Sequence, residues 1–156
     1  MLVMKVRDAS LEDVYSIIEI ALESFWKEYG SWEEAEKSFK NYVRKRWENL
    51  IKRRAGIVLV AEDDDRVIGF LVFRWWFGWN GWLETIAVKK EYRGKGVGTQ
   101  LIKALIEKAR EEGYSKICFA VEDENLIKFY KKFNAKYFGK LPEDSTTLTL
   151  YYIPTR

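Results

Sequence analysis

The segment from residue 89 to residue 99 contains three glycines at alternate positions, Gly94, Gly96 and Gly98. An apolar run at residues 82–88 precedes the segment, and apolar residues at helical spacing follow it. The segment is therefore predicted to connect a buried strand to an amphipathic helix. Because glycine has no side chain, the backbone can bend sharply there and another molecule can approach it closely. The chain is constrained to a fold in which a strand turns tightly into a helix.

The charge of this segment favours a phosphate group as its ligand. Four basic residues surround the glycines, with Glu91 the one acidic residue among them: Lys89, Lys90, Arg93 and Lys95. At the start of the predicted helix, backbone N–H groups have no partner within the helix, and the helix dipole favours an anion. The alternative is that the glycines serve only a tight turn.

Two common nucleotide-binding loops fit this segment poorly. A Walker A loop requires Lys and then Ser or Thr after its last glycine, whereas Gly98 is followed by Thr99-Gln100. In a Rossmann turn the third glycine comes one residue later, and the turn follows the first strand of a βαβ series. The strand at residues 82–88 is the fourth one predicted in this chain.

The hydrophobic pattern predicts the element order β-α-α-β-β-β-α-β-α-β-β in a single domain spanning residues 1–156. Apolar residues recur at helical spacing in residues 11–25 and again in residues 32–50. Ser31 and Glu34 form a capping box for the second of these helices. Asn80-Gly81 predicts a hairpin turn. The unit at residues 82–121 should be a parallel strand–helix–strand crossover, with the rest of the sheet mostly antiparallel.

Composition excludes several classes of site. The 156 residues include no histidine and one cysteine, Cys118, so the common zinc, haem and iron–sulfur sites and His-based triads are excluded, and we expect no metal. Cys118 lies in an apolar run and is predicted to be a buried, inert thiol. The net charge of +3 is finely distributed, which gives little support to a nucleic-acid partner.

Residues 1–7 lack the features of a signal peptide, and no apolar run approaches the roughly 18 residues that cross a membrane. We therefore expect a cytoplasmic protein with no membrane partner.

The sequence Arg93-Gly94-Lys95-Gly96-Val97-Gly98 resembles the Arg/Gln-x-x-Gly-x-Gly/Ala motif of the GNAT superfamily of N-acetyltransferases. The flanking Ile86-Ala87-Val88 and Thr99-Gln100-Leu101-Ile102 also fit, and the element order agrees over nearly the whole chain. The resemblance implies an α/β (α+β) fold, a mixed but mostly antiparallel sheet of about seven strands with about four helices. It also implies transfer of an acetyl group from acetyl-CoA to an amine, by direct attack.

The resemblance implies a set of residues that bind acetyl-CoA. Backbone amides of residues 93–98 and of Thr99 would hold the pyrophosphate. The pantetheine arm would lie between the strands ending at Val88 and Val121, which splay apart, and would pair with the backbone of Ile86 and Val88. A contact with either Asp123 or Asn125 is left open. The full set is Ile86, Ala87, Val88, Arg93, Gly94, Lys95, Gly96, Val97, Gly98, Thr99, Asp123 and Asn125.

Three groups are candidates for catalysis. The N–H of Ile86 would polarise the acetyl carbonyl. Glu84 interrupts an apolar run and shares a strand face with Ile86, so it is the predicted general base for the amine; the alternative is a carboxylate in a salt bridge. Tyr130 lies in the helix that resembles the one bearing the family's catalytic Tyr, and would donate a hydrogen bond to the sulfur; the alternative is a core tyrosine.

The acceptor is left open between a small-molecule amine and a peptide or protein amino group. Glu23, Glu28 and Glu33 lie in the region that shapes acceptor pockets in similar enzymes, where they would attract a cationic amine or form a solvated face. Five aromatic residues crowd the second hairpin, as an acceptor wall, a homodimer surface or core packing: Trp75, Trp76, Phe77, Trp79 and Trp82. Two other functions are an inactive acyl-CoA-binding domain and a nucleic-acid or nucleotide-binding module.

Overall fold

The computed structural model describes residues 4–156, so the first three residues of the N-terminal segment discussed above lie outside it. The strands are β1 (Met4–Asp8), β2 (Gly56–Asp63), β3 (Arg66–Phe77), β4 (Asn80–Val88), β5 (Lys116–Val121), β6 (Lys136–Pro142) and β7 (Thr147–Pro154). The α-helices are α1 (Val14–Phe25), α2 (Trp32–Ser38), α3 (Arg44–Arg53), α4 (Val97–Glu111) and α5 (Glu124–Lys131). A π-helical turn, Phe39–Val43, joins α2 to α3. Together they form the single long helix that the sequence predicts, and the predicted element order is confirmed.

The seven strands form one sheet in the order β1-β2-β3-β4-β5-β7-β6. Every neighbouring pair is antiparallel except β4 and β5, which are parallel. Helix α4 forms the crossover between these two strands. The predicted mixed, mostly antiparallel sheet is therefore confirmed.

Helices cover both faces of the sheet, so the central strands are apolar on both sides. On β2, Val58 and Val60 pack with α1–α3, whereas Ile57, Leu59 and Ala61 pack with α4. Successive side chains of a strand point to opposite faces, which divides one apolar run between two cores.

Strands β4 and β5 separate after a short paired stretch. Their register covers Asn80–Trp82 against Lys116–Cys118 and goes no further. On its other edge β4 stays paired with β3 as far as Val88. There, Val72 lies opposite Thr85 and Phe73 opposite Leu83, so Glu84 is an extra residue in a β-bulge. A gap opens in the sheet at the carboxyl ends of β4 and β5, as the sequence predicts.

Candidate active site

The glycine loop requires glycine at two positions for backbone reasons. Gly94 and Gly96 have φ values of 76° and 85°, which residues with a side chain rarely adopt. A Cβ at either position would meet no atom within 4 Å, so lack of space is not the reason. At Gly98 a Cβ would lie 3.4 Å from the Phe129 ring, an ordinary contact. The loop therefore positions the start of α4 through its backbone conformation.

The start of α4 presents free N–H groups. The first helical hydrogen bond of α4 runs from the N–H of Gln100 to the carbonyl of Gly96, at 3.1 Å. The N–H groups of the preceding residues have no carbonyl one turn earlier in the helix to accept them. Arg93 and Lys132 add positive charge to the cavity beside these groups. The site suits a phosphate anion.

A cavity of about 880 Å³ lies beside this loop; we refer to it as the loop cavity. Its walls include most of the predicted cofactor residues: Ile86, Ala87, Val88, Arg93, Gly94, Gly96, Val97, Gly98, Thr99 and Asp123. Lys95 and Asn125 are not among its lining residues; Lys95 lies over the Tyr92 ring, with its Nζ 5.6 Å from the ring centroid. Asp123 caps α5 by accepting the N–H of Asn125 at 2.9 Å. Of the two alternatives, the structure brings Asp123 to the cavity.

The edge of β4 in the gap has backbone groups available to a ligand. The N–H of Lys89, just beyond the end of β4, donates to the carbonyl of Ile68 in β3 at 2.8 Å. Hydrogen-bonding direction alternates along a strand, so Val88 and Ile86 face the opposite edge, toward β5. The carbonyl of Val88 accepts from Arg93 Nε at 2.9 Å, which agrees with this direction. Because β5 is not paired with β4 here, Ile86 faces the gap.

A second cavity, of about 550 Å³, contains three glutamates, Glu28, Glu84 and Glu122, and is called the glutamate cavity here. It shares Ile86 and Tyr130 with the loop cavity, as well as Phe25, Asp123 and Leu126. The two cavities therefore meet at the open edge of β4 and at the Tyr130 side chain.

Tyr130 is 6% exposed and packs on Phe119, with ring centroids 4.2 Å apart. Its hydroxyl has no hydrogen-bond partner among residues 4–156. Burial raises the pKa of Tyr130 to about 12, so the phenol keeps its proton at neutral pH. The ring is buried, but no buried side-chain oxygen in the described part of the chain lacks a partner, so the hydroxyl itself reaches the cavity surface. A protonated hydroxyl at a cavity wall, without a protein partner, is suited to donate a hydrogen bond to a bound molecule.

Glu84 lies in the bulge of β4 and accepts three hydrogen bonds. Its Oε2 accepts from Trp47 Nε1 at 2.6 Å and from Arg46 Nη2 at 2.7 Å, and its Oε1 accepts from Arg74 Nε at 3.2 Å. The side chain of Glu84 is 14% exposed. Two guanidinium groups around one carboxylate leave a net positive charge, and Arg46 lines the glutamate cavity.

Glu28 and Glu122 differ from Glu84 in having no ion pair or side-chain hydrogen bond within the part of the chain that the structure describes. Glu28 belongs to a 3₁₀ turn, Trp26–Tyr29, that follows α1. Partial burial in the cavity wall, and secondly the negative charge of Glu122, raise the pKa of Glu28 above its ordinary value. Of the other two glutamates proposed from the sequence, Glu23 accepts from the N–H of Lys90, and Glu33 lines neither cavity.

Residues 11–135 match the family model described as the acetyltransferase (GNAT) family. The chain belongs to this family. The predicted family resemblance is confirmed, and so are acetyl-CoA as co-substrate and N-acetyl transfer as the activity. The acetyltransferase is 29% identical to an L-methionine sulfoximine/L-methionine sulfone acetyltransferase of Pseudomonas paraeruginosa, over 97% of this chain and 96% of the relative.

Two solved structures have the same fold. An N-acetyltransferase from Staphylococcus aureus Mu50 aligns with a TM-score of 0.81 at 24% identity, over 99% of each chain. The yncA protein of Salmonella typhimurium, solved with its cofactor acetyl-CoA, aligns with a TM-score of 0.80 at 21% identity, over 98% of this chain and 94% of that one.

The acetyltransferase has no helix in residues 4–156 that is long and apolar enough to cross a membrane. Nor does this range bring together three or more His, Cys, Asp or Glu side chains placed to hold a metal.

The sequence does not reveal the partners of Glu84. Trp47 reads as part of the apolar stripe of its helix, and Arg46 and Arg74 as solvated charges. These donors lie 37, 38 and 10 residues from Glu84 along the chain. The π-helical turn beside them is also unpredicted, although Phe39 and Val43 line the glutamate cavity. π-Helical turns often occur at functional sites.

The aromatic residues of the second hairpin are not among those that line the two cavities of the acetyltransferase. Trp76 packs against Trp82, with ring centroids 4.9 Å apart, and against Phe138. Trp75, Phe77 and Trp79 are exposed. Cys118 is buried, as predicted, and burial raises the pKa of its thiol to about 11.

Proposed function

We propose that this acetyltransferase acts on the amino group of an amino acid or of a small molecule that resembles one. The observation that carries this proposal is the net positive charge of Arg46 and Arg74 around Glu84, at the wall of the glutamate cavity. A guanidinium group binds a carboxylate through two parallel hydrogen bonds. The relative named for L-methionine sulfoximine, which is similar over nearly the whole chain, supports the same class of acceptor.

Acetyl-CoA is proposed to lie in the loop cavity. The backbone of residues 93, 94 and 96–99 would hold the pyrophosphate, with Asp123 at the far wall. The pantetheine arm would hydrogen-bond to Ile86 and Val88 along the free edge of β4. Lys95 and Asn125 remain predictions from the family resemblance, and their positions outside the cavity lining give them less support.

The amine is proposed to attack the acetyl carbonyl directly, where the two cavities meet. The N–H of Ile86 would stabilise the developing oxyanion; donors of this kind contribute about 2.7–4 kcal/mol. Tyr130 would donate a hydrogen bond to the departing sulfur, which its protonated state at neutral pH permits.

The role of Glu84 as a general base stays a prediction. An ionised carboxylate has about four lone-pair sites, and three of those on Glu84 accept hydrogen bonds from the protein. This geometry supports a positioning role: Glu84 holds Arg46 at the cavity wall.

We also infer that the chain acts as a single domain, because one sheet runs through all seven described strands. A cytoplasmic location stays a prediction from the sequence. A homodimer through the exposed aromatic residues of the second hairpin stays a prediction, which sedimentation velocity tests.

The proposal is tested by measuring CoA release with purified enzyme and a panel of acceptors. The panel contains L-amino acids, the corresponding amines without the carboxylate, and short peptides. Turnover should be fastest with an amino acid. Arg46→Ala should raise KM for that acceptor by about 10–100-fold, as expected for one charged hydrogen bond, with little change for the amine lacking the carboxylate.

Arg44→Ala is the matched control, since Arg44 is exposed, lies on the same helix and pairs with Glu48. Faster turnover of peptides than of amino acids would contradict the amino-acid proposal. So would an equal rise in KM for the amino acid and for the amine without a carboxylate in Arg46→Ala. Binding of acetyl-CoA without turnover of any acceptor would support an inactive acyl-CoA-binding domain.

A further inference from the structure

We propose that Glu28 is the general base that removes the proton from the acceptor's ammonium group. The inference deepens the function proposed above and rests on it for the position of the acceptor in the glutamate cavity. It assigns to the turn after α1 the role that the sequence assigns to Glu84.

Glu28 lies in the wall of the glutamate cavity, on a different element from the β4 residues that line it. The 3₁₀ turn Trp26–Tyr29 places both Glu28 and Tyr29 in the cavity wall. Ile86 and Tyr130 line the same cavity where it joins the loop cavity. An amine that attacks an acetyl group at this junction therefore lies in the cavity whose wall contains the carboxylate of Glu28.

Two of the three other carboxylates in this cavity already accept hydrogen bonds from the protein. Glu84 already accepts from Trp47, Arg46 and Arg74. The carboxylate of Asp123 accepts the N–H of Asn125 at the start of α5. Glu122 has no described partner, but its contribution is to add negative charge next to Glu28.

The charges around the cavity suit a zwitterionic acceptor. Arg46, with Glu84 and Arg74, forms a positive end for a carboxylate, while Glu28 and Glu122 form a negative end for an ammonium group. The ionisable groups that line the cavity are Glu28, Tyr29, Arg46, Glu84, Glu122, Asp123 and Tyr130. The raised pKa of Glu28, caused by burial and by Glu122, brings this carboxylate closer to the pH at which a general base is most effective.

The protons of the reaction balance as follows. The carboxylate of Glu28 takes one proton from the ammonium group and releases it to water, since Glu28 is exposed to solvent. The neutral amine forms the C–N bond, and the C–S bond of the thioester breaks. Tyr130 donates its hydroxyl proton to the departing CoA sulfur, and the second proton lost by the amine nitrogen restores the Tyr130 hydroxyl. The products are the N-acetylated acceptor, CoA thiol and one released proton.

The test compares the pH–rate profiles of the intact enzyme, Glu28→Gln and Glu84→Gln with whichever amine the enzyme turns over best. Removing a general base lowers the rate by about 10²–10⁴-fold, so kcat of Glu28→Gln should fall at least about 100-fold at pH 7. The loss should shrink about tenfold per pH unit toward the pKa of the amine, because the neutral amine then exists without the base. KM for acetyl-CoA should not change.

Glu33→Gln is the matched control, because Glu33 is an exposed glutamate of the same region that lines neither cavity. An unchanged kcat in Glu28→Gln, or a loss of kcat that is equal at every pH, would overturn the proposal. A pH-dependent loss in Glu84→Gln alone would return the role to Glu84. Failure of the amino-acid proposal appears separately, as a different best acceptor in the panel.

Discussion

At the scale of single residues, two glutamates in the wall of one cavity have different chemistry. Glu84 accepts three hydrogen bonds and is 14% exposed, whereas Glu28 has no partner among residues 4–156. A carboxylate that accepts from two guanidinium groups and an indole positions those donors. A carboxylate that loses part of its hydration in a cavity wall, beside a second carboxylate, holds a proton more readily. Partners, rather than residue type, separate a positioning glutamate from a proton acceptor.

Replacement of Tyr130 by Phe tests the proton donor. We expect kcat to fall by about 100-fold or more, within the usual range for a positioned acid, and KM for acetyl-CoA to stay the same. The fold should tolerate the change, because the hydroxyl has no described protein partner and the ring is kept. Thiol-release kinetics measure both constants, and an unchanged kcat would exclude Tyr130 from the reaction.

The free energy of unfolding of the free enzyme should fall when Glu28 ionises. The folded state holds the Glu28 proton more tightly than the unfolded chain, because its pKa is raised in the fold. The free energy of unfolding therefore falls as pH rises through the raised pKa. Glu28→Gln should melt slightly higher than the intact protein at pH 7, with no difference below about pH 4. Thermal melts across this range measure the effect; a lower melting temperature at pH 7 would show that Glu28 has a stabilising partner.

At the scale of elements, the glycine loop and the gap beside β4 form the cofactor side of the site. The loop depends on two left-handed glycines, and the gap depends on the early end of pairing between β4 and β5. The bulge at Glu84 lies where β4 turns away from its neighbour. Bulges bend a strand and redirect its side chains, which accounts for Glu84 facing the cavity and Arg46.

Alanine substitutions at two glycines should change the free energy of unfolding in opposite directions. Gly96→Ala places a side chain at a φ of 85°, which costs about 1–2 kcal/mol, and we expect weaker acetyl-CoA binding as the loop shifts. Gly98→Ala has an ordinary φ and a Cβ only 3.4 Å from the Phe129 ring, and alanine favours the helix by up to about 1 kcal/mol. Calorimetric titration and thermal melts measure both variants. Equal behaviour of the two would contradict the role assigned to the left-handed turn.

At the scale of the whole molecule, the sheet brings distant segments to one gap. The turn after α1, the π-helical segment, β4 and the end of β5 all border the glutamate cavity, although they span residues 26–121 of the chain. The three helical segments on one face and α4 on the other hold these parts in place through two separate cores.

Acetyl-CoA should stabilise the whole fold, because its proposed site combines β4, α4 and α5. Saturation at 100 times Kd adds about 2.7 kcal/mol to the free energy of unfolding. For a domain of this size that corresponds to a rise in Tm of roughly 5–10 °C. ATP and NAD at the same concentration are the controls in a thermal-shift assay, and equal shifts with all three would mean that the loop does not distinguish acetyl-CoA.

The sequence alone determined the element order, the family and the loop that suits a phosphate, because these depend on local spacing. Alternation of glycines, apolar periodicity and capping residues all act within about one turn or one strand of the chain. The candidates Ile86 and Tyr130 followed from the family resemblance of their elements, and Glu84 from its position two residues before Ile86. Only the tertiary structure decided what each side chain meets: Glu84 finds Trp47 and both arginines, and Glu28 finds an open cavity. These contacts join residues far apart in the chain, so no local pattern specifies them.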